Sequence, residues 1–220
     1  MEFDRIILAS ASPRRRELLR QIGIEPGIIV SHASEDIDLT EPSAVVEELA
    51  RRKAFDVAMG TEPGAVVIGS DTVVALDSRI LGKPKSHEEA YHMIKALSGK
   101  RHQVYTGVCI ARKEDSGAVI CVSSFFDRTE VEVAVMSEEE IREYASLKEP
   151  MDKAGAYAVQ GFFARYIVSL TGSYANVMGL PVSRLYQELK RISCVNREGE
   201  QCQRTAWIEV CNDKIGGIGY

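Results

Sequence analysis

Val66-Val67-Ile68-Gly69-Ser70-Asp71-Thr72-Val73-Val74-Ala75-Leu76 is the stretch that decides the fold. Its β-branched side chains favour an extended backbone. A short apolar run of this kind reads as a central, buried strand. Asp77-Ser78-Arg79 then supplies turn formers that fold the chain back into Ile80 and Leu81.

Outward from that strand, helical and extended patterns mix. Phe3 to Ala9 is a short apolar strand feeding a helix that starts at Ser12, with Pro13 in the first turn and Gly23 as its stop. Residues 43–58 carry an apolar stripe of Val45, Val46, Leu49, Ala50, Ala54 and Val57 at helical spacing. A helix is predicted from Glu88 to Leu97, and strands over Val104–Ala111 and Val119–Val135, antiparallel around a turn at Lys113–Gly117. Ser137 with Glu140 forms a capping box for a helix through Leu147. A strand over Tyr166–Leu170 and a helix from Pro181 to about Ile192 complete the body. Hairpins among helices predict an α/β fold with a mixed sheet and flanking helices rather than strict strand–helix alternation. Residues 1–192 read as one domain, and residues 193–220, with Trp207 and Ile208 as candidate anchors, as an appendage.

The chain's 220 residues and 45% hydrophobic content suffice for one substantial core. A net charge of −5 argues against a nucleic-acid partner, which would call for a basic surface. No apolar run is long enough to span a bilayer, so no membrane partner is expected. Five scattered cysteines make no disulfide framework, and a cytoplasmic setting is the expectation. The common glycine-rich phosphate loops are absent.

Positive charge is instead local. Ser10-Ala11-Ser12-Pro13-Arg14-Arg15-Arg16 places three guanidinium groups in the first turn of a helix, where free N–H groups also favour anions. That reads as a phosphate or polyphosphate site, or as an exposed basic turn. Asp71 interrupts a run that should be buried, and an unpaired carboxylate there is costly. A metal ion, a cation or several hydrogen bonds must compensate it, and buried carboxylates concentrate at active sites. Lys53 falls on the apolar stripe of its helix, so its ammonium either snorkels to the rim or meets a charged partner. Lys83 sits in the constrained loop Gly82-Lys83-Pro84. Glu35 and Asp36 lie in an acidic loop that either serves a hard cation or is solvated surface. Residues 149–161 form a long irregular segment typical of binding loops. Within it Asp152-Lys153 is a candidate ion pair, and Gln160 offers an amide that donates and accepts.

Taken in order, these pieces resemble the Maf family of nucleotide pyrophosphatases. The resemblance runs through Ala9–Arg15, Lys53-Ala54, Gly69–Val73, Gly82–Pro84, Leu97–Gly99, Tyr105–Val108, Glu149–Tyr157, Gln160-Gly161 and Val177–Pro181, covering about residues 3–192. It implies the elongated mixed-sheet fold of inosine triphosphate pyrophosphatases, with two lobes around a central cleft, and a homodimer. It implies hydrolysis of a nucleoside triphosphate to the monophosphate and pyrophosphate, assisted by a divalent cation, magnesium or manganese. Asp71 matches the family's proton acceptor. Arg14, Thr72 and Gln160 match the positions that set base preference, and this combination resembles the subgroup acting on dTTP and UTP, with modified pyrimidine nucleotides as a further class. Ser10, Ser12, Arg15, Lys53, Lys83 and Lys153 are then expected on the phosphates, and Glu35 with Asp71 on the metal.

Two other readings are open. A non-catalytic nucleotide-binding regulator of cell division or growth arrest would keep the cleft without the chemistry. A serine acyl hydrolase lacks the Gly-x-Ser-x-Gly elbow that it would need.

Overall fold

The computed structural model describes residues 5–198 of the chain. Its sheet has seven strands: β1 (Ile6–Leu8), β2 (Gly27–Ile28), β3 (Val66–Leu76), β4 (Arg79–Leu81), β5 (Arg101–Lys113), β6 (Val119–Val133) and β7 (Ile167–Thr171). The order is β2-β1-β3-β5-β6-β7, with β4 beside β3. β1 runs parallel to β2 and β3, and every other pairing is antiparallel, so the sheet is mixed as expected. Helices α1 (Pro13–Gln21), α2 (Pro42–Met59), α3 (His87–Leu97), α4 (Glu138–Ala145), α5 (Tyr174–Val177) and α6 (Val182–Glu198) flank it.

The strand read from Val66 to Leu76 has those bounds in the structure. Asp77 and Ser78 alone make the turn, both with positive φ, as a two-residue hairpin loop requires. The capping box of Ser137 and Glu140 is formed, but its helix stops at Ala145 rather than Leu147. Short β2 and α5 carry too few residues to show a period, and neither is evident in the sequence. α6 continues to Glu198, beyond the predicted Ile192. Trp207 and Ile208 lie outside the described residues. Among the described residues, no helix is long and apolar enough to cross a membrane.

Alternation along β3 sorts the core into two layers. Val66, Ile68, Val74 and Leu76 face the larger cluster, which also gathers α1, α3, α4 and α6. Val67 and Val73 face α2, where Ala50, Ala54 and Val57 or Val45, Val46 and Leu49 cover them. Burying such aliphatic side chains stabilises the fold by roughly 1.5–3 kcal/mol each. α2 lies unusually close to the sheet because glycines face it: a Cβ at Gly69 would come within 2.2 Å of the Ala50 carbonyl oxygen, and one at Gly107 within 2.2 Å of that of Val46.

The sheet also divides along one edge of β3. β1 pairs with Val66–Ile68 and β4 with Val74–Leu76, while β5 pairs along the opposite edge from Val66 to Ala75. Residues 69–73 therefore border a gap between the end of β1 and the start of β4. Asp71 and Thr72 occupy that gap, pointing to opposite faces.

Candidate active site

A cavity of about 1000 Å³ opens at this gap. That volume lies at the upper end of small-molecule sites. The residues that the family resemblance marks for catalysis, base preference, phosphate or metal all line it: Ser10, Ser12, Arg14, Arg15, Glu35, Lys53, Asp71, Thr72, Lys83, Lys153 and Gln160, whereas Arg16 and Asp36 are not part of its lining.

On the α2 side, Lys53 meets a charged partner rather than snorkelling. Its Nζ lies 2.6 Å from Asp71 Oδ1 and 2.6 Å from Glu35 Oε1. Only 14% of the side chain of either Lys53 or Asp71 is exposed, so the cation is what makes the carboxylate's position tenable. Hydrogen bonding to Lys53 holds the Glu35 carboxyl below the usual glutamate range, with Lys83 and Arg15 adding to the effect. Glu35 is therefore not simple solvated surface. Its loop is tied to α2, where Asp56 accepts from Ser31 Oγ (2.7 Å) and the His32 N–H (2.8 Å), and Arg52 donates to the Asp36 carbonyl (2.7 Å).

The three arginines of the first turn part company. Arg16 pairs with Glu25 on the surface, and Arg14 lines the cavity. Arg15 turns inward: its Nε donates to the Gly179 carbonyl (2.8 Å), its Nη1 to Ser10 Oγ (3.1 Å) and its Nη2 to Thr72 Oγ1 (3.1 Å). Three of five N–H groups are thus engaged, and two remain. Burial pulls this guanidinium below its ordinary proton affinity, against the opposing charge of Asp71. Of the three guanidinium groups, Arg16 is held on the surface by Glu25, whereas Arg14 and Arg15 both line the cavity. Ser12 occupies the N-cap position without a side-chain cap; its N–H donates to Ser10 Oγ instead (3.2 Å).

The far wall is the irregular segment 149–161, which contains short 3-10 turns. Glu149 anchors it, accepting from Tyr144 Oη (2.9 Å) and the Phe162 N–H (3.0 Å), beside Gln160 and Gly161. The Gly155 N–H donates to the Gly82 carbonyl (3.0 Å), bringing the loops of Lys153 and Lys83 together. Lys153 also forms the expected ion pair with Asp152.

Sequence reasoning assigned no role to the neutral side chains behind Thr72. Thr106 Oγ1 lies 3.0 Å from Thr72 Oγ1 and donates to the Asn176 carbonyl (2.9 Å). Asn176 Nδ2 in turn donates to the Val104 carbonyl and Thr129 Oγ1, each at 3.0 Å. A threonine directly before a glycine inside an apolar strand was the available signal.

Among the described residues, no group of three or more His, Cys, Asp or Glu could hold a metal ion. Glu35 and Asp71 offer two carboxylates around a point that already demands positive charge. Such a donor set suits magnesium or manganese when phosphate oxygens complete the shell.

The family model described as "Maf-like protein" matches residues 5–192. A relative named dTTP/UTP pyrophosphatase from Lachnoclostridium phytofermentans is 49% identical over 186 residues, covering 84% of this chain and 94% of that protein. Another of the same name from Agathobacter rectalis is 48% identical over 202 residues, covering 86% and 98%. Among solved structures, the Ham1 protein of Staphylococcus aureus aligns over 84% of this chain and 98% of its own, at 16% identity and a TM-score of 0.43.

Proposed function

The chain belongs to the Maf family, and on that premise we propose that it hydrolyses dTTP and UTP to the nucleoside monophosphate and pyrophosphate. The observation that carries this reading is the Lys53 ammonium, 2.6 Å from both Asp71 and Glu35, in a cavity whose rim also presents Arg14, Lys83 and Lys153. A triphosphate suits the cations around this cavity, and the anhydride bond between its α- and β-phosphates offers the carboxylate its task.

In this mechanism Lys83 and Lys153, from the two joined loops, hold the phosphates, with Ser10 and the two remaining N–H groups of Arg15 beneath them. Asp71 takes a proton from the water whose oxygen attacks the α-phosphorus. The bond from the α-phosphorus to the bridging oxygen breaks, and pyrophosphate leaves. Lys53 fixes Asp71 beforehand and is drawn towards the phosphates as they arrive. A divalent cation held by Glu35, Asp71 and phosphate oxygens would neutralise part of the charge on the triphosphate. Most of the acceleration comes from positioning and charge stabilisation. Gln160 and Arg14, which line the same cavity, contact the base in this reading.

A panel of nucleoside triphosphates, assayed for pyrophosphate release with magnesium or manganese, tests the proposal. Release from dTTP and UTP, lost in Asp71→Ala, is the expected result. Hydrolysis that is indifferent to that substitution removes the assignment. The non-catalytic reading is not favoured, since the relatives bear an enzyme's name and the acid faces the cavity.

A further inference from the structure

The hydrogen bonds behind Thr72 run in only one direction. A hydroxyl has one proton. That of Thr106 goes to the Asn176 carbonyl, which has no proton to offer in return. Thr106 Oγ1 must therefore accept in its contact with Thr72, and the Thr72 proton points away from the cavity. Arg15 Nη2, which can only donate, occupies one lone pair of Thr72 Oγ1. What Thr72 retains for a ligand is one lone pair and a methyl group. Thr106 is fully buried, so no water can substitute for it and release this arrangement.

We propose that Thr106 is a specificity-determining positioning residue: by fixing Thr72 as an acceptor, it selects pyrimidine bases that carry an N3–H over those that carry a lone pair at N3. The inference rests on the pyrophosphatase reading above. A glutamine amide such as Gln160 cannot make this distinction alone. Turned one way it matches the N3–H and carbonyl of uracil or thymine; turned over, it matches the N3 and amino group of cytosine. A hydroxyl whose polarity is fixed from behind does not turn over. Against uracil or thymine it accepts the N3–H, and against cytosine two lone pairs oppose each other. Sites that leave a buried polar group unpaired reject such analogues strongly.

Thr106→Val keeps the shape, removes the acceptor and frees the Thr72 proton to rotate towards the cavity. The Asn176 carbonyl keeps its bond from the Gly179 N–H (2.9 Å), so that segment stays tied. The measurement is kcat/KM for dTTP and for dCTP in wild type and variant, with thermal unfolding to confirm the fold. The expected result is a fall of about ten-fold in the dTTP:dCTP ratio, with Thr106→Ser restoring it. Should the valine variant not fold, Thr106→Ala carries the same comparison. A ratio that is unchanged or raised overturns the inference, as does a wild type that does not discriminate between the two nucleotides. A merely structural role would lower both values together. If the wild type releases no pyrophosphate from dTTP or UTP, the underlying reading falls as well, which is a separate outcome.

Discussion

Two faces of one strand meet the cavity with opposite chemistries. Towards α2, β3 presents Asp71 to an ammonium shared with Glu35, a cluster of full charges at the mouth. Towards α5 it presents Thr72 to the Thr106 hydroxyl, with the Asn176 carbonyl fully buried behind that hydroxyl, while Arg15 is the charged group that donates to Thr72. The charged face attracts strongly but orients loosely, because a lysine is a point charge on a flexible stem. The neutral face attracts weakly but has a fixed direction, since each buried hydroxyl must be satisfied in one way. Phosphates, alike in every nucleotide, suit the first, and a base edge suits the second. The division predicts that rate and discrimination can be damaged separately.

Asp71→Asn is the largest test. It keeps the volume and leaves Lys53 a neutral partner, yet removes the proton acceptor. Pyrophosphate release should fall by about 10³-fold, within the usual range for losing a general base. The dTTP:dCTP ratio of whatever activity remains should stay within about two-fold of wild type, because the chain from Arg15 to Asn176 is untouched. A ratio that collapses with the rate would show that the two faces act as one.

Gly107→Ala comes next, and it strikes the charged face through packing. Gly107 is the register partner of Asp71 on β5, and an added methyl would stand 2.2 Å from the Val46 carbonyl oxygen. α2 must move outward, taking Lys53 with it. A cost of about 3 kcal/mol in chemical denaturation is expected, at the upper end of overpacking effects. Gly60→Ala, whose Cβ would meet only the Val57 carbonyl at 3.7 Å, should stay within about 0.5 kcal/mol. Equal losses in the two variants would mean that close approach of α2 does not hold the charged face in place.

Much of this was legible beforehand, and for unequal reasons. β3 announced itself by β-branched density and α2 by its stripe, so the strand carrying Asp71 and the helix carrying Lys53 follow from periodicity. The charged face is legible because a carboxylate or ammonium in an apolar pattern is conspicuous. The neutral face is not: Thr106 and Asn176 are unremarkable until long-range contacts join residues 72, 106 and 176. The protein partners of Arg15 are not legible, because the sequence shows its neighbours along the helix, whereas Gly179 arrives from far along the chain. Cys109 and Cys121, scattered along the chain, prove to be free thiols whose sulfurs lie 3.7 Å apart across β5 and β6.

Acid supplies the mildest test, and it reaches the neutral side of β5. His102 is fully buried, with Nε2 2.8 Å from Tyr157 Oη and no hydrogen-bond partner for Nδ1 among the described residues. Burial lowers its pKa to about 4, whereas an unfolded chain would take up the proton near pH 6.5. The folded value is thus the depressed one. Stability is complete above about pH 6.5 and drains as the pH falls towards 4, by about 2 kcal/mol once some relaxation is allowed for. Glu48, which its hydrogen bond to Arg51 holds down to about 2, loses its contribution only below the ordinary glutamate value near 4.3, so the two windows scarcely overlap. Denaturant titrations at half-unit intervals should show this slope in the wild type and lose it in His102→Gln, whose neutral amide can still pair with Tyr157. Tyr157 lines the cavity beside the binding loop, so the same acid range should loosen base discrimination before it disturbs the Lys53 cluster. A stability that stays level from pH 6.5 to 4 would mean that the imidazole finds water when it charges, and that the neutral face is less closed than its hydrogen bonds require.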